Sequence, residues 1–203
     1  RAIGGNAVLV RAGALYHDIG KMENPHFFIE NQHGFNPHDD LDAEDSARQI
    51  IGHVSHGIAR AKEAGLPDEI IDFIRTHHGT SLVRYFHQKA LSEVAELAAA
   101  SGTPAGDPTV EVDESDFRYP GPLPYSKETA VLMMADSVEA AARSLNQYSD
   151  LLIGDLVDRL VAAQLQDGQF ASADITFREI QTVVRVLKRR LRSIHHQRIA
   201  YTK

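Results

Sequence analysis

Six residues of this chain sit where a helix should be apolar, and all six carry side chains that can bind metal. His17 and Asp18 stand side by side at the end of "NAVLVRAGALYHDIG". His53 lies in "QIIGHVSHG", His77 and His78 close "PDEIIDFIRTHHG", and Asp136 lies inside "AVLMMADSVEAA". Asp136 follows Leu132 by four residues and Met133 by three, positions that share one helix face. Its carboxylate therefore points into the core, where it is costly without a partner. Ile50, three residues before His53, marks the same inward side. Taken singly, most of these residues have a plainer role. A His in the last turn of a helix complements the helix dipole, and His53 alone reads as a hydrogen-bonded core histidine. Asp18 alone reads as a turn residue, although the C-terminal end of a helix disfavours an acid. Asp136 is the hardest to explain this way. Together, four imidazoles and two carboxylates suit first-row divalent ions such as iron, manganese or zinc. Carried on four helices, they could hold two such ions in a bundle interior with one carboxylate shared.

The elements that must position these residues read as helices almost throughout. The first runs through "NAVLVRAGALYHDIG" and is expected to stop at Gly20. Residues 42–65 form a helix with Asp42 or Ser46 as cap and Gly65 as stop. Residues 67–79 form another, with Pro67 in the first turn, acids after it and Gly79 at its end. Further helices are expected over 81–100, 126–145, 151–170 and 176–203. Two stretches break the pattern: 23–41, with two Pro and three Asn, and 101–125, with five Pro and three Gly. Long loops in compact domains tend to be functional. No period-2 strand of useful length and no internal repeat is visible. The expectation is an all-α fold, a single helical bundle over 1–203 with two long loops.

Composition narrows the function. The chain has 203 residues, 43% of them apolar, and no Cys, which excludes disulfides and thiolate zinc sites. A net charge of −7 argues against non-specific binding of polymeric nucleic acid, which depends on neutralising phosphates. It leaves room for a small phosphate ligand in a locally basic pocket. Eleven His is unusual, and most lie in the first 78 residues. No apolar run approaches the roughly 20 residues of a membrane span. The chain opens on "RAIGGN", without an initiator Met or signal pattern, and reads as a piece of something longer.

The ordered set "YHDIGK", "HVSHG", "HHG" and "ADSVEAA" resembles the HD-domain metal-dependent phosphohydrolases. Within that superfamily the likeness narrows. The stretches "HDIGKMENPHFFIENQ", "NPHDD", "HHGTSLVRYFHQKA", "FRYPGPLPYSKETAVLMMADSVEAAARSL" and "DGQF…DITFREI" are similar to the cytoplasmic HD domain of the seven-transmembrane-HD receptors, PgpH type. The likeness covers about residues 6–180. It implies a phosphodiesterase that hydrolyses cyclic di-AMP to pApA in second-messenger signalling, at two divalent ions, usually iron or manganese. By position, His17, Asp18 and Asp136 would serve one metal, and Asp18 would bridge to a second held by His53, His77 and His78. Such ions lower the pKa of a shared water and clamp phosphate. Lys21 would neutralise phosphate charge; otherwise it reads as an exposed lysine after a helix. Arg118 and Tyr119, with Arg84 and Tyr85, would line the nucleotide pocket, since an arginine forks onto phosphate and an aromatic stacks a base. They also read as packing or surface residues. The resemblance places the domain on the cytoplasmic face of the bacterial inner membrane, tethered by upstream spans. A second copy of the chain remains open as a partner. In the family one further His reaches the first metal from a preceding helix. None of the sixteen residues before His17 is His, so that helix is expected upstream of residue 1.

Other readings are weaker. The cyclic di-GMP branch of these phosphohydrolases carries Gly-Tyr-Pro after its His pair, which "HHGTSLVRYF" lacks. Alarmone hydrolases carry an acidic pair after HD; Asp39–Asp40 or Glu44–Asp45 imitate it in different surroundings. A non-catalytic nucleotide or metal sensor is the third class. His33 and His38 lie in the loop near the proposed site, where surface solvation explains them. Residues 99–113 read as a variable insert. The basic stretch 185–198 would suit an anionic partner or membrane surface, with a solvated helix face as the default.

Overall fold

The computed structural model describes residues 2–32, 34–101, 112–145 and 147–196, the last two of these for their backbone only. His33, residues 102–111 of the proline-rich stretch, and Gln197 and Arg198 of the basic stretch lie outside the described residues, as do the side chains of His195 and His196. Seven α-helices run through the described residues, and no strand does. They are α1 (Ala7–Tyr16), α2 (Ala43–Glu63), α3 (Asp68–Thr76), α4 (Arg84–Ser101), α5 (Lys127–Arg143), α6 (Asp150–Gln166) and α7 (Phe177–His196). The all-α expectation holds.

Local chemistry sets the boundaries. Of the two candidate caps for α2, Asp42 is the one used: its carboxylate accepts from the Asp45 amide at 2.7 Å. Ser46 is buried within the first turn. Ser126 and Thr129 cap α5 reciprocally, satisfying donors that the helix start would otherwise leave open. Gly65 ends the α2 turn with φ +67°, a conformation glycine adopts without penalty.

Three apolar clusters hold the helices. Met133, Val138, Val157 and Val184 join α5, α6 and α7. Ala47, Phe86 and Phe117 join α2, α4 and a 3₁₀ turn at Glu114–Phe117. Ala61, Ile71 and Ile74 join α2 and α3. Burying one such large side chain contributes about 1.5–3 kcal/mol.

The end of α1 differs from expectation. The helix stops at Tyr16, His17 is its cap residue, and a 3₁₀ turn follows over Ile19–Met22. Gly20 is not in the left-handed conformation of a helix stop. It is glycine because the turn lies directly on α2: a Cβ there would overlap the His53 carbonyl oxygen and the Gly57 amide nitrogen. The loop at 23–41 is built from three short 3₁₀ turns, Pro25–Phe27, Ile29–Asn31 and Pro37–Asp40. The buried His38 ties its two ends together by donating Nε2–H to the Phe27 carbonyl at 2.9 Å.

Candidate metal centre

The end of α1, the middle of α2, the end of α3 and the middle of α5 bring the six residues together. Three of the imidazoles are fixed in the same way. His17 Nδ1 faces the Ala14 carbonyl at 3.0 Å, His53 Nδ1 faces Ile50 O at 2.6 Å, and His77 Nδ1 faces Ile74 O at 2.8 Å. A carbonyl only accepts, so each Nδ1 carries the proton and each Nε2 is left with its lone pair. Tethers of this kind orient metal-binding histidines. The His53 and His77 Nε2 atoms then face each other at 3.1 Å, an arrangement that a shared cation would satisfy. His53 and His77 are almost fully buried.

Asp18 divides its two oxygens. Oδ1 lies 3.5 Å from His53 Nε2 and 3.6 Å from His77 Nε2. Oδ2 lies 3.4 Å from His17 Nε2 and 2.8 Å from Lys21 Nζ. His17 Nε2 also lies 3.3 Å from Asp136 Oδ1. Two overlapping groups result: Asp18, His53, His77 and His78, and His17, Asp18 and Asp136, with the donor atoms of each within 4.8 Å of one another. The first offers four donors. The second offers three. Asp136, expected in the core, has its partner in His17.

The electrostatics of His53, His78 and Asp18 favour ligation. Burial, then the neighbouring His77, pushes His53 down to about 4. Burial with the same neighbour takes His78 well below its ordinary value. Both imidazoles are therefore neutral at pH 7, the form that binds metal. Burial opposes the charge on Asp18, but the facing His77, His17 and Lys21 outweigh it and hold the carboxyl well below the usual carboxylate range. Burial likewise opposes protonation of His17, and Asp136 and Asp18 raise it nonetheless. The donor types, the freed Nε2 atoms and the shared carboxylate fit a pair of divalent cations.

The residues expected to meet substrate fare differently. Lys21 reaches the site, held by Asp18 and by Glu30 at 2.9 Å, above the Phe28 ring. Arg84 and Tyr119 border a cleft of about 270 Å³ beside His78. Tyr119 is buried and stacks on the His78 ring at 4.2 Å, so one face of its ring packs His78. Arg118 has its fork filled: it meets Asp167 at 3.2 Å through both terminal nitrogens, Glu114 at 2.7 Å and the Thr80 carbonyl at 2.8 Å. Tyr85 is exposed on a separate cleft of about 520 Å³, with Phe28, Glu30 and Lys89. Glu30, Phe28, Asp167 and Gln169 went unnoticed in the sequence. Nothing in the composition of their segments marks them, because their roles depend on contacts with distant segments.

Comparison with known proteins identifies the family. The sequence profile of the HD domain family matches residues 1–141. The cyclic-di-AMP phosphodiesterase PgpH of Bacillus subtilis (strain 168) is 42% identical over 201 residues. The protein of that name from Listeria monocytogenes serotype 1/2a (strain 10403S) is 41% identical over 200. The match covers 98% of this chain and 26% of either relative, so the chain spans about a quarter of their length. The crystal structure of the L. monocytogenes phosphodiesterase PgpH HD domain superimposes with a TM-score of 0.84 at 40% identity, covering 96% of this chain and 85% of that one. The same domain in complex with cyclic-di-AMP gives 0.85 at 41%, covering 98% and 85%. On its profile match and its clustered histidines and aspartates, this chain belongs to the HD domain family.

Proposed function

We propose that this chain hydrolyses cyclic di-AMP to pApA, with iron or manganese in the two overlapping donor groups. The observation that carries this is the division of Asp18, one oxygen toward His53 and His77 and the other toward His17. One carboxylate between the Nε2 atoms of His53 and His77 and that of His17 suits a paired site, and phosphodiesters are among the substrates that a pair of cations serves. Two ions held there would supply a nucleophilic water at neutral pH and neutralise phosphate charge. The chain's own residues do the rest. The carbonyl tethers of His17, His53 and His77 hold the tautomeric proton on Nδ1 and turn Nε2 toward the donor groups. Lys21, steadied by Glu30, brings positive charge to the rim where a phosphate oxygen arrives. Arg84, beside His78, and Tyr85, on the cleft beyond Phe28, contact the two nucleosides. The three-donor group, His17, Asp18 and Asp136, would take one more histidine from an upstream helix.

The names of the relatives supply the substrate, and the 41% identical HD domain with cyclic-di-AMP bound supports it. No helix among the described residues is long and apolar enough to cross a membrane. We place the domain on the cytoplasmic face of the inner membrane, tethered by spans upstream. Product chromatography tests the activity. The protein with its natural upstream sequence and manganese is expected to convert cyclic di-AMP to pApA, and to turn over cyclic di-GMP far more slowly. Asp18→Ala and His77→Ala are expected to abolish conversion. No turnover of cyclic di-AMP by metal-loaded protein refutes the proposal.

A further inference from the structure

His78 differs from the other three imidazoles. Neither of its ring nitrogens has a hydrogen bond among the described residues, whereas His17, His53 and His77 are each tethered to a carbonyl. Its ring is placed by contact alone. It stacks on Tyr119 at 4.2 Å and 21°, lies 4.0 Å from the His77 ring, and meets His53 edge-on at 5.2 Å. The position of this ligand therefore depends on the path of its backbone and on where Tyr119 stands.

The turn between α6 and α7 grips both. The Thr80 amide donates to Gln169 Oε1 at 3.0 Å. Gln169 Nε2 donates back to Thr80 Oγ1 at 3.0 Å and to Asp167 Oδ2 at 2.9 Å. Asp167 accepts the fork of Arg118, and Arg118 also donates to the Thr80 carbonyl. Thr80 is two residues after His78, and Arg118 is one residue before Tyr119. Gly79 between them has φ +51°, and a Cβ there would strike Gln169 Oε1. Two backbone bonds, Val83 N–H to Phe117 O and Tyr119 N–H to Ser81 O, set the register of the paired segments. The hub then fixes both partners of the stack to one point.

Energy alone does not account for this hub. The side chains of Arg118 and Asp167 are 31% and 26% exposed, and such a pair contributes roughly 0–1 kcal/mol. Gln169 is fully buried with both ends of its amide satisfied, so it specifies direction more than it adds stability.

We propose that Gln169, Asp167 and Arg118 are positioning residues for His78, setting its ring for the four-donor metal site through Thr80 and Tyr119. This rests on reading that cluster as a metal site. The test is a cobalt(II) titration of the protein by calorimetry and visible absorption, with the metal-free melting temperature measured alongside. Gln169→Met removes the bonds to Thr80 and Asp167, and Thr80→Val removes the one to the Thr80 hydroxyl, both at nearly constant shape. Each is expected to weaken cobalt binding about 10–100-fold, the usual effect of losing an outer-shell partner, and to move the spectrum toward that of His78→Ala. Thr80→Ser, which keeps the hydroxyl, is expected to bind as the wild type does. Should Gln169→Met fail to fold, Thr80→Val decides. Wild-type affinity and spectrum in both variants overturn the proposal alone. So does an affinity loss with an unchanged spectrum and a parallel fall in metal-free stability, which would make the hub a structural clamp only. A wild-type protein that binds no cobalt overturns the metal site and the proposal together.

Discussion

Gly20→Ala is the smallest change that should disable the site without touching a ligand. The turn at Ile19–Met22 rests on α2, and the added methyl would overlap the His53 carbonyl oxygen and Gly57 nitrogen. It would stand 2.8 Å from the His53 carbonyl carbon, where ordinary contacts begin at 3.4 Å. These neighbours are helix backbone, so no rotamer change relieves the clash and the turn must move by ~1 Å or more. Overpacking of this kind costs typically 1–3 kcal/mol, and the upper end applies to a backbone obstacle. A loss of about 3 kcal/mol corresponds to a melting temperature lower by roughly 6–12 °C in a domain of this size. Asp18 and Lys21 flank Gly20 and move with it, away from His53. A misplacement of ~1 Å at a reacting centre can cost about 100-fold in rate. Thermal melts and cyclic di-AMP turnover of the folded fraction measure the two effects. Wild-type melting together with wild-type turnover would refute the reasoning.

Three further outcomes follow from the same geometry. Asp136→Asn is expected to remove one of two bound ions and Asp18→Asn both, read by metal analysis after dialysis; equal losses from the two variants would contradict a shared carboxylate. Phe28→Ala removes a buried ring that packs on His53 at 5.7 Å and lies under Lys21, and is expected to cost about 3 kcal/mol in urea unfolding; a loss below about 1 kcal/mol would show that the loop does not brace the site. Glu179 is held at about 2, below its ordinary 4.5, by the hydrogen bond from Lys127 and by Thr176. Its folded pKa is depressed, so its stabilisation is complete above about pH 4.5 and is lost as pH falls toward 2. The stability gap between wild type and Glu179→Gln should close over that window, and a gap independent of pH would be inconsistent with the pairing.

Much of the site was legible because its residues violate helix chemistry. Asp136 at an inward position and His77–His78 beside a glycine stand out against the apolar period, and the fold brings them into one cluster with His17, Asp18 and His53. The all-α pattern was equally plain, since apolar residues recur at helical spacing and caps such as Asp42 and Ser126 sit where the pattern starts. What stayed hidden depends on contacts between distant segments. Gly20 reads as a helix stop in one dimension, and only the approach of α2 shows it to be a contact point. Arg118 and Tyr119 read as substrate groups because their side chains suit phosphate and base. Asp167 claims the first and His78 the second, across sequence separations that no local pattern records. Gln169 looks like a surface residue of a turn until the fold buries it.

The most direct test of the shared carboxylate is anomalous diffraction from crystals of this domain, with its natural upstream sequence, grown with manganese. Two anomalous peaks are expected, both in contact with Asp18. One should also touch His53, His77 and His78, and the other His17 and Asp136. Peaks that share no residue, or a single peak that leaves Asp18 untouched, would contradict the paired site.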